Sequence, residues 1–183
     1  MRIIAGDYKG RKIFEPLDKE TRPLKDLTKE SIFNILEHSK NAKILIKKSN
    51  VLDVFSGTGS FGLECISRGA SKVYFIEQHK PSIKILIKNI EKLNCGKKVK
   101  LFSENVFDLK KNKKIRENKF NIIFLDPPYK EKNIILLLNK INEMNILFKK
   151  GIIFFLYGMV TFKPLISGLF LIRSLSSWIS LIS

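Results

Sequence analysis

Asp126-Pro127-Pro128-Tyr129 places an acid, two prolines and an aromatic ring in immediate succession. Proline fixes its backbone and lacks an N–H, so its carbonyl stands as a bare acceptor. The Asp126 carboxylate and the Pro127 carbonyl, beside the flat face of Tyr129, suit a planar amine that donates two hydrogen bonds and stacks. The amino group of a nucleobase fits that description. A tight turn after a core strand would account for the prolines but not for the whole tetrapeptide.

Upstream, Gly57-x-Gly59-x-x-Gly62 has the spacing of a dinucleotide fingerprint. Glycines let the backbone approach a ligand closely, and a helix N-terminus behind them favours negative charge. Two acids modify this reading. Asp53, at the junction of strand and loop, can hold an ammonium group and would repel a pyrophosphate. Glu77, after the next strand, can accept both ribose hydroxyls, and Asn105, after the third, can meet an adenine. Ser56, Gly57 and Gly59 complete the set, which favours S-adenosylmethionine over a nicotinamide cofactor.

Such residues need strand ends to present them. Residues 122–125 (Ile-Ile-Phe-Leu) form a continuous apolar run, the mark of a strand buried on both faces of a parallel sheet. Residues 51–55, 72–76 and 99–102 read as three earlier strands, and Gly151 as the start of a fifth. Helices are expected from the glycine loop to Arg68 with Gly69 as C-cap, from Pro81 to about Leu93, and over residues 133–144. Residues 106–118 are charged and read as surface helix or loop. Strands alternating with helices imply an α/β fold with a doubly wound, mostly parallel sheet, whose chemistry sits at the carboxyl ends of the strands.

Residues 1–49 read as a small extension ahead of a domain over residues 50–183. Ile3-Ile4 and Ile13-Phe14 flank Gly6, Asp7 and Gly10, which predicts a β-hairpin. Arg2, Lys9, Arg11 and Lys12 make it basic enough to lie along phosphates, though lysines also protect exposed strand edges. Asp26 can cap a helix from about Leu27, with Leu27, Ile32, Ile35 and Leu36 buried and Lys25, Lys29 and Glu30 outside. Residues 40–50 form a polar connection.

The chain of 183 residues carries a formal net charge of +17 and is 44% hydrophobic with 14 Phe, which excludes a largely disordered protein. The charge suits a polyanionic partner, although the preponderance of Lys, Ile and Asn also reflects an AT-rich coding bias. Cys65 and Cys95, without close partners, form neither a disulfide framework nor a zinc pattern, consistent with a reducing cytoplasm. His38 and His79 stand alone, and no signal peptide opens the chain.

Together, VLDVFSGTGSFG and IIFLDPPY resemble the class I, S-adenosylmethionine-dependent methyltransferases that modify exocyclic amines. With MRIIAGDYKGRKI and RPLKDLTKESIFNIL, the chain resembles a bacterial family that methylates N2 of a guanine in small-subunit (16S) ribosomal RNA. The resemblance covers about residues 1–150. It implies a Rossmann-like fold, a cofactor site lined by Asp53, Gly57, Gly59, Glu77 and Asn105, and a target-amine site of Asp126, Pro127, Pro128 and Tyr129. It also implies a contact role for Arg22 and matches Asp26 and Glu30, while Leu24 and Lys25 stand where the family usually has threonines. The implied partner is 16S rRNA or the assembling small subunit, met by a cytoplasmic, monomeric enzyme that needs no metal. A DNA adenine-N6 methyltransferase shares the tetrapeptide, but the N-terminal motifs and the lack of room for a DNA-recognition domain weigh against it. A decayed, purely RNA-binding relative is a further alternative.

The stretch after about residue 155 is atypical. Family members carry an acid at the end of the fifth strand and close the sheet with a hairpin, whereas no acid occurs here from Gly151 to Ser183. Residues 151–172 are nearly long and apolar enough for a membrane span, but Lys163 and Pro164 interrupt them. Altered or missing final strands, or a tail translated in a shifted frame, are the other expectations.

Overall fold

The structure is a computed structural model that describes residues 1–16, 26–38, 46–128, 130–156 and 169–172. Arg22, Tyr129 and most of the tail lie outside the described residues. The apolar runs form six strands: β1 (Asn50–Val54), β2 (Lys72–Ile76), β3 (Val99–Phe102), β4 (Phe120–Leu125), β5 (Leu147–Leu156) and β6 (Leu169–Ile172). They make one sheet in the order β3-β2-β1-β4-β5-β6. The first five strands run parallel, and β6 returns antiparallel along β5. The chain winds outward from β1 in both directions, so the loops after β1 and β4 lie side by side at the reversal of strand order.

Alternate strand residues feed two cores. Val51, Val73, Phe75, Ile122, Phe124, Ile152 and Phe154 face one layer, with helices α1 (Asp26–His38), α2 (Ser60–Ser67) and α3 (Lys80–Leu93). Leu52, Val54, Tyr74, Ile76, Ile123, Leu125, Ile153 and Phe155 face the other, with α4 (Lys113–Arg116) and α5 (Ile134–Glu143). An aromatic column crosses the first layer. Phe124 of β4 stacks on Phe61 of α2 at 3.8 Å between centroids, and Phe61 on Phe33 of α1 at 5.2 Å.

Several expectations are corrected. The N-terminal hairpin is present but short: Arg2 bridges Lys12 antiparallel around a 3-10 turn at Gly6–Tyr8, and the Ile3, Gly10 and Ile13 N–H groups donate to the Arg11, Ile3 and Met1 carbonyls at 2.9, 2.9 and 3.1 Å. Its Ile4, Ala5, Tyr8 and Phe14 N–H groups donate to side chains of α2 and α3. In α1, Leu27 is 79% exposed and Lys29 is fully buried, the reverse of the expected faces. The buried positions Lys29, Ile32, Phe33 and Leu36 keep helical spacing, so the stripe is rotated and its first place is taken by a charge. Strand β5 begins at Leu147, not Gly151. A register shift lies between Phe120 and Ile122, and a Cβ at Gly151 would come within 2.8 Å of the Leu147 side chain. Residues 106–118 form two short helical turns that bury Val106, Leu109 and Ile115. Part of the tail forms β6, so a final strand is present. Among the described residues no helix is long and apolar enough to cross a membrane.

Candidate active site

Register fixes which residues meet at the carboxyl edge. Val54 pairs with Ile76 on one side and Leu125 on the other, so Phe55, Glu77 and Asp126 stand level, one residue beyond the last pairs. Phe55 takes a left-handed conformation (φ 61°), a strained choice for a bulky side chain. It turns the chain out of β1 into the glycine loop. Ser56 then fastens that loop to β2, its N–H donating to the Ile76 carbonyl at 3.0 Å.

Both cofactor-loop acids are engaged by backbone donors. Asp53, 1% exposed, accepts from the Gly62 N–H at 2.9 Å and so occupies the N-terminus of α2. Burial pushes its carboxyl well above the ordinary carboxylate range. The Gly62 bond opposes the rise, and the charges of Asp126 and Glu77 add to it. Glu77 accepts from the Gly57 N–H at 2.7 Å and from the Gln78 and His79 N–H groups at 2.9 and 2.8 Å. Its carboxylate therefore joins the loops after β1 and β2. Gly59 adopts φ 83° at the α2 N-cap, and a Cβ there would lie 2.3 Å from the Leu86 side chain.

Asn105 is exposed beyond β3 and caps a 3-10 turn by accepting from the Phe107 N–H at 2.9 Å. Asp126 and Pro127 are half-buried and Pro128 is exposed. The Glu131 N–H donates to the Pro128 carbonyl at 2.9 Å. The basic ribbon lies on the α1–α2–α3 side. Lys9, Arg11 and Lys12 are exposed, with the Arg11 guanidinium over the Tyr8 ring and Arg2 paired to Asp26 at 3.6 Å.

The reading from sequence placed Lys29 outside and passed over Glu64 and Asn89, yet all three are fully buried. Asn89 lies in the α3 stripe with Ser82, Ile85, Leu86 and Leu93, as Lys29 lies in that of α1. A polar residue at an apolar position of a helical stripe was the signal available.

The donor set suits a cationic ligand. Glu77 and Asp126 stand level at the edge with Asp53 buried behind them, and Asp53 already accepts from the α2 terminus that a pyrophosphate would use. A family model described as "Conserved hypothetical protein 95" matches residues 1–174, extending past residue 150 where the resemblance was read as ending. The chain is 33% identical over 153 residues to "Putative rRNA methyltransferase YlbH" of Bacillus subtilis, covering 84% of this chain and 80% of that protein. It is 36% identical over 130 residues to "Ribosomal RNA small subunit methyltransferase D" of Haemophilus influenzae, covering 70% of this chain. That match spans 64% of the Haemophilus protein, under two thirds of its length. Among solved structures, "Putative methyltransferase yhhF from Escherichia coli" superposes with a TM-score of 0.68 at 28% identity, over 85% of this chain and 79% of that one.

Proposed function

This chain belongs to the family described as Conserved hypothetical protein 95, and on that footing we propose that it methylates the exocyclic N2 amine of a guanine in small-subunit (16S) ribosomal RNA. It is an S-adenosylmethionine-dependent rRNA methyltransferase of the class I fold. The observation that carries the reading is the acidic edge, where Asp53, Glu77 and Asp126 converge on the strand-order reversal with Asp53 barring an anion from α2.

Asp53, Ser56, Gly57, Gly59, Glu77 and Asn105 would hold the cofactor, the glycines by close backbone approach and Glu77 through the ribose. When bound, S-adenosylmethionine would supply an electrophilic sulfonium methyl group, the S–C bonding pair remaining on sulfur as a neutral thioether and one amine proton passing to solvent. Asp126 and the Pro127 carbonyl accept the two amine hydrogens. They thereby turn the lone pair out of conjugation with the ring and stabilise the cation that develops on nitrogen. Their fixed geometry also lowers the barrier by aligning the reactants. Tyr129 follows in sequence as the stacking surface for a base taken out of its helix. Arg2, Lys9, Arg11, Lys12 and Arg22 bind phosphates without reading sequence. Such a substrate implies a cytoplasmic enzyme, and we take the monomer as its acting form.

The test is transfer of labelled methyl groups to purified small subunits, free 16S rRNA and duplex DNA, followed by nucleoside identification. N2-methylguanine in RNA is expected. Label only in DNA adenine, or in none of the substrates, would overturn the reading.

A further inference from the structure

Two side chains that the proposed chemistry does not use hold the N-terminal ribbon and the cofactor loop together. Lys29, fully buried, donates to the Arg2 carbonyl of the ribbon at 2.7 Å and to Ser60 Oγ, at the first residue after the glycine loop, at 3.3 Å. Asn89, also fully buried, does the same from α3. Its Nδ2 donates to the Phe14 carbonyl at 3.1 Å and to the Thr58 carbonyl, inside the glycine loop, at 3.0 Å. Its Oδ1 accepts from the Phe14 N–H at 2.7 Å, which fixes the orientation of the amide. Lys29 therefore has one bond on the ribbon and one at the loop, and Asn89 two on the ribbon and one in the loop, a clamp near each end of the ribbon.

Glu64 completes the first clamp. It is fully buried, accepts from the Ile4 and Ala5 N–H groups at 2.8 and 2.9 Å and from Arg68 at 2.9 Å, and lies 3.8 Å from the Lys29 ammonium. A buried charge pair fastened on both sides tolerates few arrangements, because a displaced partner would leave the other uncompensated.

We propose that Lys29 and Asn89 are positioning residues that couple the ribbon to the cofactor loop, so that RNA bound on the ribbon and cofactor bound in the loop strengthen each other. This rests on the methyltransferase reading. Ordering the ribbon on phosphates orders Arg2 and Phe14, and through the shared side chains Ser60 and Thr58. A cofactor that needs the same loop geometry then meets a smaller ordering cost. Reciprocity follows, since a coupling free energy acts equally in both directions.

The test measures the dissociation constant of S-adenosylhomocysteine by calorimetry, alone and with a saturating 16S rRNA fragment, for the full chain and for Lys29→Met and Asn89→Leu. In the wild type the RNA is expected to tighten cofactor binding by about tenfold, within the usual range of couplings. In each variant both ligands still bind singly and the factor falls towards one. Hydrogen exchange on the wild type, free of any folding defect in the variants, supplies the second measurement. Cofactor alone should slow exchange at Ile3, Gly10, Ile13 and Phe14, and RNA alone at Gly59 and Gly62. A wild-type factor of one, an unchanged factor in both variants, or exchange protection confined to the ligand's own segment would each overturn the coupling while leaving the methyltransferase reading intact. Failure of the wild type to bind the cofactor at all would overturn that reading and the coupling with it.

Discussion

Asp126 stands where β4 ends, and the proposed reaction asks it to accept from the target amine and not to hold the nucleoside. Asp126→Ala is therefore expected to reduce kcat by about 100-fold or more, the scale of removing one electrostatic stabiliser of a transition state. Cofactor affinity should stay nearly unchanged. Single-turnover methylation alongside calorimetry checks both, and near-normal turnover would remove Asp126 from the site. Asp53 makes a different test possible. Its folded carboxyl titrates above the ordinary value, so its stabilising contribution is complete below about pH 4 and is lost as pH rises through the folded value. Asp53→Asn keeps an acceptor for the Gly62 N–H but does not titrate. The difference in Tm should shift in favour of the variant as pH rises from about 4, and parallel Tm profiles would contradict it. The glycine loop and the Asp126–Tyr129 tetrapeptide are readable in the sequence because each is a short contiguous run, while Glu77 and Asn105 are singled out only by following a strand. Lys29, Glu64 and Asn89 are not readable there, because what makes them buried lies 27 to 75 residues away.

At the scale of elements, apolar runs located β1, β2 and β4 to within a residue or two because those strands are buried along most of their length, and β3 was placed as well although none of its four residues is buried. Helix α1 was placed correctly but turned wrongly. Leu27 reads as core by type, yet the stripe that packs on Phe61 passes through Lys29, where the Arg2 carbonyl, Ser60, Glu64 and Asp26 make the position tolerable to an ammonium. Burial lowers the Lys29 pKa while Glu64 and Asp26 oppose the fall. The ribbon pairs with itself as the hairpin expected from sequence, but the donors left over, at Ile4, Ala5, Tyr8 and Phe14, are met by side chains of α2 and α3. That docking turns on Gly6, which has φ 79° and whose added Cβ would sit 1.9 Å from the Ser67 carbonyl oxygen. Gly6→Ala combines an unfavourable backbone conformation with a clash against backbone. It is expected to cost about 1–3 kcal/mol. Thermal unfolding should show the loss, and limited proteolysis should show new cleavage within the first sixteen residues. A Tm unchanged from wild type would mean that the ribbon docks by some other route.

For the whole molecule, charge is the property with the widest reach. Of the proposed RNA-binding residues, Arg2, Lys9, Arg11 and Lys12 stand on the described ribbon and are exposed. Replacing all four with Gln should weaken RNA binding uniformly across sequences. It should also flatten the plot of log affinity against log salt by up to about 3, at roughly 0.7 for each phosphate of a single strand that is no longer neutralised. Filter binding across a salt series measures this, and an unchanged slope would return the ribbon to a protective edge. The net charge of +17 hinted at this surface without locating it, since most of the lysines lie elsewhere on the chain.

The ribbon's anchors also set an order of events during synthesis. Ile4 and Ala5 bond to Glu64, Tyr8 to Ser67 and Phe14 to Asn89, so after its early contact with Lys29 the ribbon waits about sixty residues of synthesis for its anchors in α2. At ~5–20 residues per second, that is a wait of ~3–12 s for the α2 anchors and longer for Asn89. Until then the basic segment lacks the helices behind the glycine loop that dock it. A chain truncated before Asn89 would keep the ribbon's charges and lose the clamp from α3, holding RNA by electrostatics without the complete scaffold that orients a base for methylation.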